Sequence, residues 1–171
     1  ALDTRTNQCR FLPQLAGQRI KSMVEDSRKN LYISVFGVGL KGYSLSTGKV
    51  WELASAAPET RGLMKNRWIN VLLCDSKDLI WIGNYKGISC YDARNDRYIK
   101  IQGDSVMDSH VCYSLLEDRN GDIWMGTNNG LYTWSREQET FRRFSTEDGL
   151  SNNVICGLAE DKDGNIWCST F

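Results

Sequence analysis

One short pattern occurs four times in this chain and constrains its fold more than any other feature. An aspartate is followed six residues later by an aromatic residue, in the pairs Asp26 and Tyr32, Asp75 and Trp81, Asp118 and Trp124, and Asp161 and Trp167. Successive aspartates are separated by 49, 43 and 43 residues. A repeat of about 40 to 50 residues built from short strands is typical of a β-propeller. We therefore predict an array of one supersecondary unit.

Each copy of the pattern lies inside a unit of four predicted strands. A short apolar run precedes the aspartate, a polar turn follows it, and a second strand carries the aromatic residue. A third strand ends in another aromatic residue, and a more polar fourth strand completes the unit. Apolar positions recur at every second residue, which favours strands over helices. The predicted fold class is all-β, with β-propeller blades of four antiparallel strands in an incomplete ring of about three whole blades plus two partial ones.

The predicted blades occupy approximately residues 20–53, 69–101, 111–144 and 154–171, and the last of them is truncated. Residues 1–15 are predicted to supply the last strand of a preceding blade, around Phe11 and Leu12. Propellers close with roughly four to eight blades, so we expect unpaired strand edges at both ends. A second copy in a homodimer, or the remaining blades of a longer parent chain, would complete the ring.

Charge and cysteine content exclude several classes of protein. Lys plus Arg and Asp plus Glu both total 21, which argues against nucleic acid and anionic membranes as partners. No apolar run is long enough for direct membrane insertion. The six cysteines include no CxxC pair and His110 is the only histidine, so we expect neither a metal site nor a cofactor. Buried free thiols are favoured over a disulfide framework.

The repeated aspartates suggest a calcium-binding or catalytic site at first sight. Residues 161–165 resemble part of a calcium loop, but no bidentate glutamate follows at the required spacing. A residue that recurs once per blade is more simply a turn residue whose carboxylate accepts backbone N–H groups. The repeated tryptophans are likewise predicted to pack between sheets. We therefore predict no catalytic residue in this chain.

Ligand-binding residues are sought where the repeats differ. In propellers the loops that precede the innermost strand, and those between the second and third strands, gather on one face around the channel. Amides match sugar hydroxyls, aromatic rings stack on sugar faces, and basic groups contact a carboxylate or sulfate. The candidate ligand-binding residues in these loops are Arg67, Trp68, Asn84, Tyr85, Lys86, His110, Asn128, Asn129, Asn152 and Asn153. The alternative is that they are solvated turn residues.

Two copies closely resemble the two-component regulator propeller repeat. In the last copy, Asp-Gly-Leu-Ser-Asn-Asn-Val at residues 148–154 is followed by Glu-Asp-Lys-Asp-Gly-Asn-Ile-Trp at residues 160–167. In the third copy, residues 114–132 carry the same pattern. The resemblance extends from about Ile20 to Phe171 and is weaker in the first copy, where Tyr32 replaces the tryptophan.

The resemblance implies a fragment of the periplasmic sensor region of a Bacteroides-type hybrid two-component system regulator. Members of that family respond to polysaccharide breakdown products and switch on genes for glycan use. The implied function is thus non-enzymatic sensing, with an oligosaccharide as ligand. Kinase and DNA-binding parts would lie elsewhere in the parent protein.

The sequence leaves two alternative functions, a glycan-cleaving enzyme and a protein-interaction scaffold. A propeller glycan hydrolase or lyase would need unlike acid and base groups facing the channel. A sialidase-type Asp box places its aspartate two residues before a glycine, whereas Asp118 and Asp161 lie three residues before Gly121 and Gly164. A protein-interaction scaffold would recruit partners by strand addition to its exposed edges.

Overall fold

The computed structural model describes residues 1–9, 11–53 and 67–171. Consecutive strands form three four-stranded antiparallel sheets and two two-stranded sheets. The amino-terminal pair is β1 (Leu2–Asp3) and β2 (Gln8–Cys9). Blade 1 contains β3 (Ile20–Glu25), β4 (Asn30–Val35), β5 (Gly39–Ser44) and β6 (Val50–Glu52). Blade 2 contains β7 (Ile69–Cys74), β8 (Leu79–Asn84), β9 (Gly87–Asp92) and β10 (Arg97–Ile99).

Blade 3 contains β11 (Cys112–Glu117), β12 (Ile123–Thr127), β13 (Gly130–Ser135) and β14 (Thr140–Phe144). Blade 4 consists of β15 (Ile155–Glu160) and β16 (Ile166–Thr170). Short 3-10 turns lie at Pro13–Leu15, Asp104–Met107 and Thr146–Asp148. The predicted all-β fold of unclosed four-stranded units is confirmed.

The strand predicted around Phe11 and Leu12 is wrong. Strand pairing in this segment joins Leu2 to Cys9 and Asp3 to Gln8, and a 3-10 turn begins at Pro13. Proline fixes φ and has no N–H to donate to a strand partner, which favours a turn at this point. That residues 1–15 belong to a preceding blade stays a prediction.

The first strands of the four blades, β3, β7, β11 and β15, lie side by side. Each of them contains a bulge at the same place, where its pairing with the second strand skips one residue. The skipped residues are Lys21, Asn70, Tyr113 and Cys156. A bulge increases the local twist and redirects a side chain, so each innermost strand presents one residue outside its regular ladder.

The core lies between the blades. One cluster joins Tyr32 and Leu40 of blade 1 to Leu72 and Tyr91 of blade 2. A second cluster joins blade 2 to blade 3, with the members Trp81, Ile88, Cys90, Ile101, Met107, Cys112, Ile123, Met125, Tyr132 and Trp134. Blade 2 is therefore covered on both faces, which explains why β8 is a nearly continuous apolar run.

The amino-terminal segment covers part of blade 1. Leu12 and Leu15 pack against Ile33, Val35 and Tyr43. In blade 2, the side that corresponds to this one packs against blade 1. Residues 12–15 therefore occupy part of the space that a blade before blade 1 would take.

The six cysteines are free thiols. Cys90 and Cys112 are buried, as predicted, whereas Cys74, Cys156 and Cys168 are only partly buried and Cys9 is exposed. Across the described ranges, no helix has the length and apolar character needed to cross a membrane.

Candidate functional site

The loops chosen from the sequence lie together on one side of the sheets. In each complete blade, the residue after the second strand donates its backbone N–H to a carbonyl at the start of the first strand, as from Tyr85 to Trp68 (3.3 Å) and from Asn128 to Val111 (3.2 Å). Other backbone hydrogen bonds connect neighbouring blades, from Gly87 to His110 (2.7 Å) and from Gly130 to Asn153 (2.6 Å). We call this surface the loop face, formed by residues 17–19, 36–38, 67–68, 84–87, 108–111, 128–130 and 151–154.

An aromatic cluster occupies the loop face between blades 1 and 2. The ring of Trp68 stacks on Phe36, with centroids 6.2 Å apart and planes 9° apart, and meets the ring of Tyr85 edge-on at 5.8 Å. Trp68 is 51% exposed and Tyr85 is 40% exposed. The Arg19 guanidinium lies 4.8 Å from the centroid of Phe36. We call Phe36, Trp68 and Tyr85 the aromatic shelf.

Two members of the aromatic shelf, Trp68 and Tyr85, were predicted from the sequence, whereas Phe36 was missed. Phe36 and its neighbour Arg19 belong to blade 1, whereas Trp68 and Tyr85 belong to blade 2. Their contact depends on how adjacent blades meet, which no local pattern reveals. The predicted residues Arg67 and Lys86 are both exposed and adjoin the shelf in sequence, so positive charge lies beside exposed aromatic rings.

A second group of predicted residues forms a polar cluster between blades 2 and 3. The Nδ2 atom of Asn129 lies 2.9 Å from Nε2 of His110 and 3.3 Å from the hydroxyl of Tyr132. Arg143 donates to the backbone oxygen of Asn129 (2.7 Å) and to its Oδ1 (3.0 Å). Since Nδ2 can only donate, Nε2 of His110 is the acceptor in this contact. Tyr132 and Arg143 were not among the predicted residues.

The other predicted amides accept backbone N–H groups through their side-chain oxygens. Asn84, Asn128 and Asn152 accept the backbone N–H groups of Lys86, Val111 and Val154, each at 2.8 Å. Asn153 accepts from the backbone of Thr146 at 2.9 Å. Asn84 is also fully buried, and its Nδ2 has no hydrogen-bond partner among the described residues. These contacts give the four amides a role in loop structure, and ligand binding by them stays a prediction.

The bulged residues of the innermost strands form a further set that sequence analysis missed. Lys21 is exposed and Tyr113 is 37% exposed. Asn70 donates from Nδ2 to the backbone oxygen of Cys112 in the next blade, at 3.1 Å. These residues occupy one register position yet differ in chemistry, as specificity-determining residues do on a repeat scaffold. The available sequence signal was a polar or aromatic residue within an otherwise apolar run.

The repeated aspartates lie at the other ends of the strands, in the turns between the first and second strand of each blade. Asp75 accepts backbone N–H groups two and four residues later, from Lys77 (2.9 Å) and Leu79 (2.8 Å). The same two bonds recur at Asp26, Asp118 and Asp161. The predicted turn role is therefore confirmed.

The second carboxylate oxygen explains the six-residue spacing. It accepts the indole N–H of Trp81 at 2.9 Å, of Trp124 at 2.8 Å and of Trp167 at 2.7 Å. In blade 1 the hydroxyl of Tyr32 takes the same place at 3.3 Å from Asp26. The bond from Trp167, followed by those from Asn165, holds the pKa of Asp161 well below its usual value.

Neighbouring blades are also joined by hydrogen bonds at these turns between the first and second strands. Ser76 donates its backbone N–H and its hydroxyl to Glu117 of the next blade, both at 2.7 Å. Blade 2 has Cys74 where the other blades have glutamate, and here Ser27 bonds instead to Asp78, at 2.9 Å from its N–H and 2.6 Å from its hydroxyl. These bonds, together with Arg94, lower the pKa of Asp78 to about 2.

Comparison with protein families confirms the resemblance noted in the sequence. Residues 105–129 and 149–171 match the family described as two component regulator propeller. A search of curated proteins gives no match.

Solved structures of similar fold include extracellular domains from B. thetaiotaomicron. One, described as part of a hybrid two component system, has a TM-score of 0.73 and 22% identity over 88% of this chain. Another, described as part of a one component system, has a TM-score of 0.70 and 25% identity over 88% of this chain. This chain spans 20% of each of those structures. Virginiamycin B lyase from Staphylococcus aureus shares the fold at 16% identity, with a TM-score of 0.63, and the match covers 91% of this chain and 51% of the lyase.

Proposed function

We propose that the chain is a non-catalytic, ligand-sensing part of a hybrid two-component system, because two of its repeats match the two component regulator propeller family. We propose that it lies in the periplasm, binds an oligosaccharide on the loop face and so contributes to control of glycan-utilisation genes. The extracellular domains of similar fold support the extracytoplasmic location.

The aromatic shelf is the observation that carries this proposal. Trp68 and Tyr85 expose ring surface on the loop face while their other contacts hold them in place. Exposed rings fixed by packing suit the apolar faces of sugars, because little side-chain freedom is lost on binding. Arg67 and Lys86 supply positive charge for a carboxylate or sulfate substituent.

The polar cluster extends this surface along the loop face. Asn129 is held by His110, Tyr132 and Arg143, so its amide is fixed in orientation. A preorganised set of donors and acceptors fits the hydroxyl pattern of a second sugar residue. The bond from Gly87 to His110 joins this cluster to the loop that carries Tyr85.

A thermal-shift panel of neutral, carboxylated and sulfated oligosaccharides tests the proposal. We expect at least one class to raise the melting temperature of the chain, and Trp68→Ala and Tyr85→Ala to reduce that rise. Phe11→Ala is the matched control, because Phe11 is 72% exposed but lies outside the loop face. A rise that survives both shelf substitutions would contradict binding at this site.

The same samples test the non-catalytic part of the proposal. We expect no new reducing ends after the binding oligosaccharide is incubated with the chain. New reducing ends that scale with protein concentration would favour the hydrolase or lyase alternative.

A further inference from the structure

A pocket of about 280 Å³ lies between blades 1 and 2, at the ends of the strands opposite the loop face. Its walls are the aromatic rings of Tyr32 and Trp51 from blade 1 and of Tyr91 from blade 2. Arg28, in the turn between β3 and β4, and Asp96, in the turn between β9 and β10, also line it. Blades 1 and 2 each contain four strands, so the pocket lies between two whole blades.

The equivalent positions between blades 2 and 3 carry larger or more apolar side chains. By their register in the sheets, the residues that correspond to Asn30, Tyr32, Tyr91 and Ala93 are Leu79, Trp81, Trp134 and Arg136. Leu79, Trp81 and Trp134 pack in one apolar cluster, and Arg136 donates to the turn aspartate of blade 2. The smaller or more polar residues between blades 1 and 2 leave this space open as a pocket.

The three rings of the pocket are held in place by the protein itself. The ring of Tyr32 contacts Trp51 edge-on at a centroid distance of 6.4 Å and contacts Tyr91 at 6.1 Å. The hydroxyl of Tyr91 donates to the carboxylate of Asp96. Gly42 allows Trp51 to lie here, because a Cβ atom at Gly42 would overlap the indole ring. Aromatic rings fixed around a pocket attract an ammonium group by cation–π interaction.

Groups of both charges line the pocket beside these rings. The Nη2 atom of Arg28 donates to Asp26 at 3.3 Å and to the backbone oxygen of Ala93. Because a guanidinium carries five N–H groups, Arg28 retains donors for a ligand carboxylate. Lys49 adds a second positive charge from blade 1, and Asp96 supplies a negative charge from blade 2. Two neighbouring cations disfavour a ligand that carries positive charge alone, so a ligand with both charges fits best.

We propose that this pocket binds a small zwitterion of the betaine class, which carries a quaternary ammonium group and a carboxylate. The ammonium group lies among the three rings and close to Asp96, and the carboxylate is bound by Arg28 and Lys49. A primary ammonium would need acceptors for three N–H groups, whereas a quaternary one needs none. Among the described residues that line the pocket, Asp96 alone is acidic, which favours the quaternary form. Small-molecule sites begin at about 300 Å³, so a pocket of this size suits a ligand as small as a betaine.

Isothermal titration calorimetry of the whole chain tests the proposal with three probes of similar shape. Glycine betaine is the zwitterion, tert-butylacetate replaces its charged nitrogen by carbon, and choline replaces its carboxylate by a hydroxymethyl group. We expect saturable binding of glycine betaine, about tenfold tighter than that of either control probe, because each control lacks one of the two charges. No saturable binding of glycine betaine, or equal affinity for tert-butylacetate or choline, would overturn the proposal.

Two substitutions test whether the ligand lies in this pocket. We expect Asp96→Asn to weaken binding of glycine betaine about tenfold and Glu139→Gln to leave it unchanged. Glu139 is the matched control, because it is exposed and has the same turn position in blade 3, with a φ of 53° against 50° for Asp96. Ala93→Arg introduces the residue that blade 3 has at this position, and it should abolish binding by filling the pocket. Unchanged affinity in either Asp96→Asn or Ala93→Arg would overturn the proposal, and each variant decides the matter if the other proves unfolded.

Discussion

At the scale of single residues, the aspartate of each repeat joins the turn after the first strand to the aromatic residue of the second strand. One carboxylate oxygen closes the turn between the first two strands, and the other holds the aromatic residue of the second strand. In blade 2 the same carboxylate also accepts from Arg136 of blade 3 at 2.7 Å. The side chain of Asp75 is completely buried, so these contacts replace water that it cannot reach.

Asp75→Ala is expected to lower the free energy of unfolding by about 3–5 kcal/mol. The substitution leaves the Arg136 charge, which is 16% exposed, without its buried partner, and it also removes the acceptor for Trp81. Urea unfolding followed by tryptophan fluorescence measures the loss. Asp161→Ala is the matched control in blade 4, where Trp167 is exposed, and we expect a clearly smaller effect. Equal losses in both variants would contradict a special role for the buried copy.

The contact between Ser27 and Asp78 predicts an acid-labile connection between blades 1 and 2. The pKa of Asp78 is about 2 in the folded protein, below the value of about 3.9 for an unfolded chain. Its contribution to stability is therefore complete above about pH 4 and is lost as the pH falls towards 2. Melting temperatures across this range should fall less steeply for Asp78→Asn than for the unsubstituted chain. Parallel curves would show that another carboxyl group governs the acid transition.

At the scale of strands and blades, glycines set how closely the innermost strands approach the neighbouring blade. A Cβ atom at Gly126 would overlap the hydroxyl of Ser114 within blade 3, and it would lie 2.8 Å from the backbone oxygen of Ile155 in blade 4 and 2.9 Å from its Cγ2 atom. Gly83 occupies the same place in blade 2 and faces Cys112 of blade 3. The blades meet through backbone as well as side chains at these two points.

Gly126→Ala is expected to cost about 1–3 kcal/mol of stability, because β12 and β15 must move apart to admit a methyl group. Relative to the unsubstituted chain, hydrogen exchange in the variant should be accelerated more in β15 and β16 than in blade 2. Ser169→Ala serves as the control, since Ser169 has the equivalent position in β16 and is exposed. Unchanged hydrogen exchange in β15 would mean that the contact with Ile155 does not limit how closely β12 and β15 approach.

The sequence carried enough information for the repeat, the strand order and the turns, because alternation and Asp-Gly turns are local signals. It misplaced the strand near Phe11, where Pro13 begins a turn instead. The aromatic shelf was only partly predicted, because Phe36 meets Trp68 across a blade boundary. The bulge at Tyr113 depends on pairing register, which alternation in one strand does not define.

At the scale of the whole molecule, the two end blades differ from the covered blade 2. Met23 of β3 is 53% exposed, whereas Leu72 at the same position in β7 is 6% exposed because blade 1 covers it. Trp167 is 66% exposed, whereas its counterpart Trp81 is fully buried by blade 3. Blade 1 therefore exposes the face that blade 2 buries against the blade before it. Blade 4 exposes the face that blade 2 buries against the blade after it.

We expect these two surfaces to pair between copies, so that the isolated chain forms a dimer as its concentration rises. Light scattering at two concentrations should show a mass that moves from 19.5 kDa towards twice that value. Trp167→Lys should shift the equilibrium to the monomer, since a charge replaces apolar surface that the contact would bury. Val106→Lys, which adds the same charge at a site away from both ends, should leave the dimer intact. A mass of one chain at both concentrations would contradict pairing of copies through the surfaces that carry Trp167 and Met23.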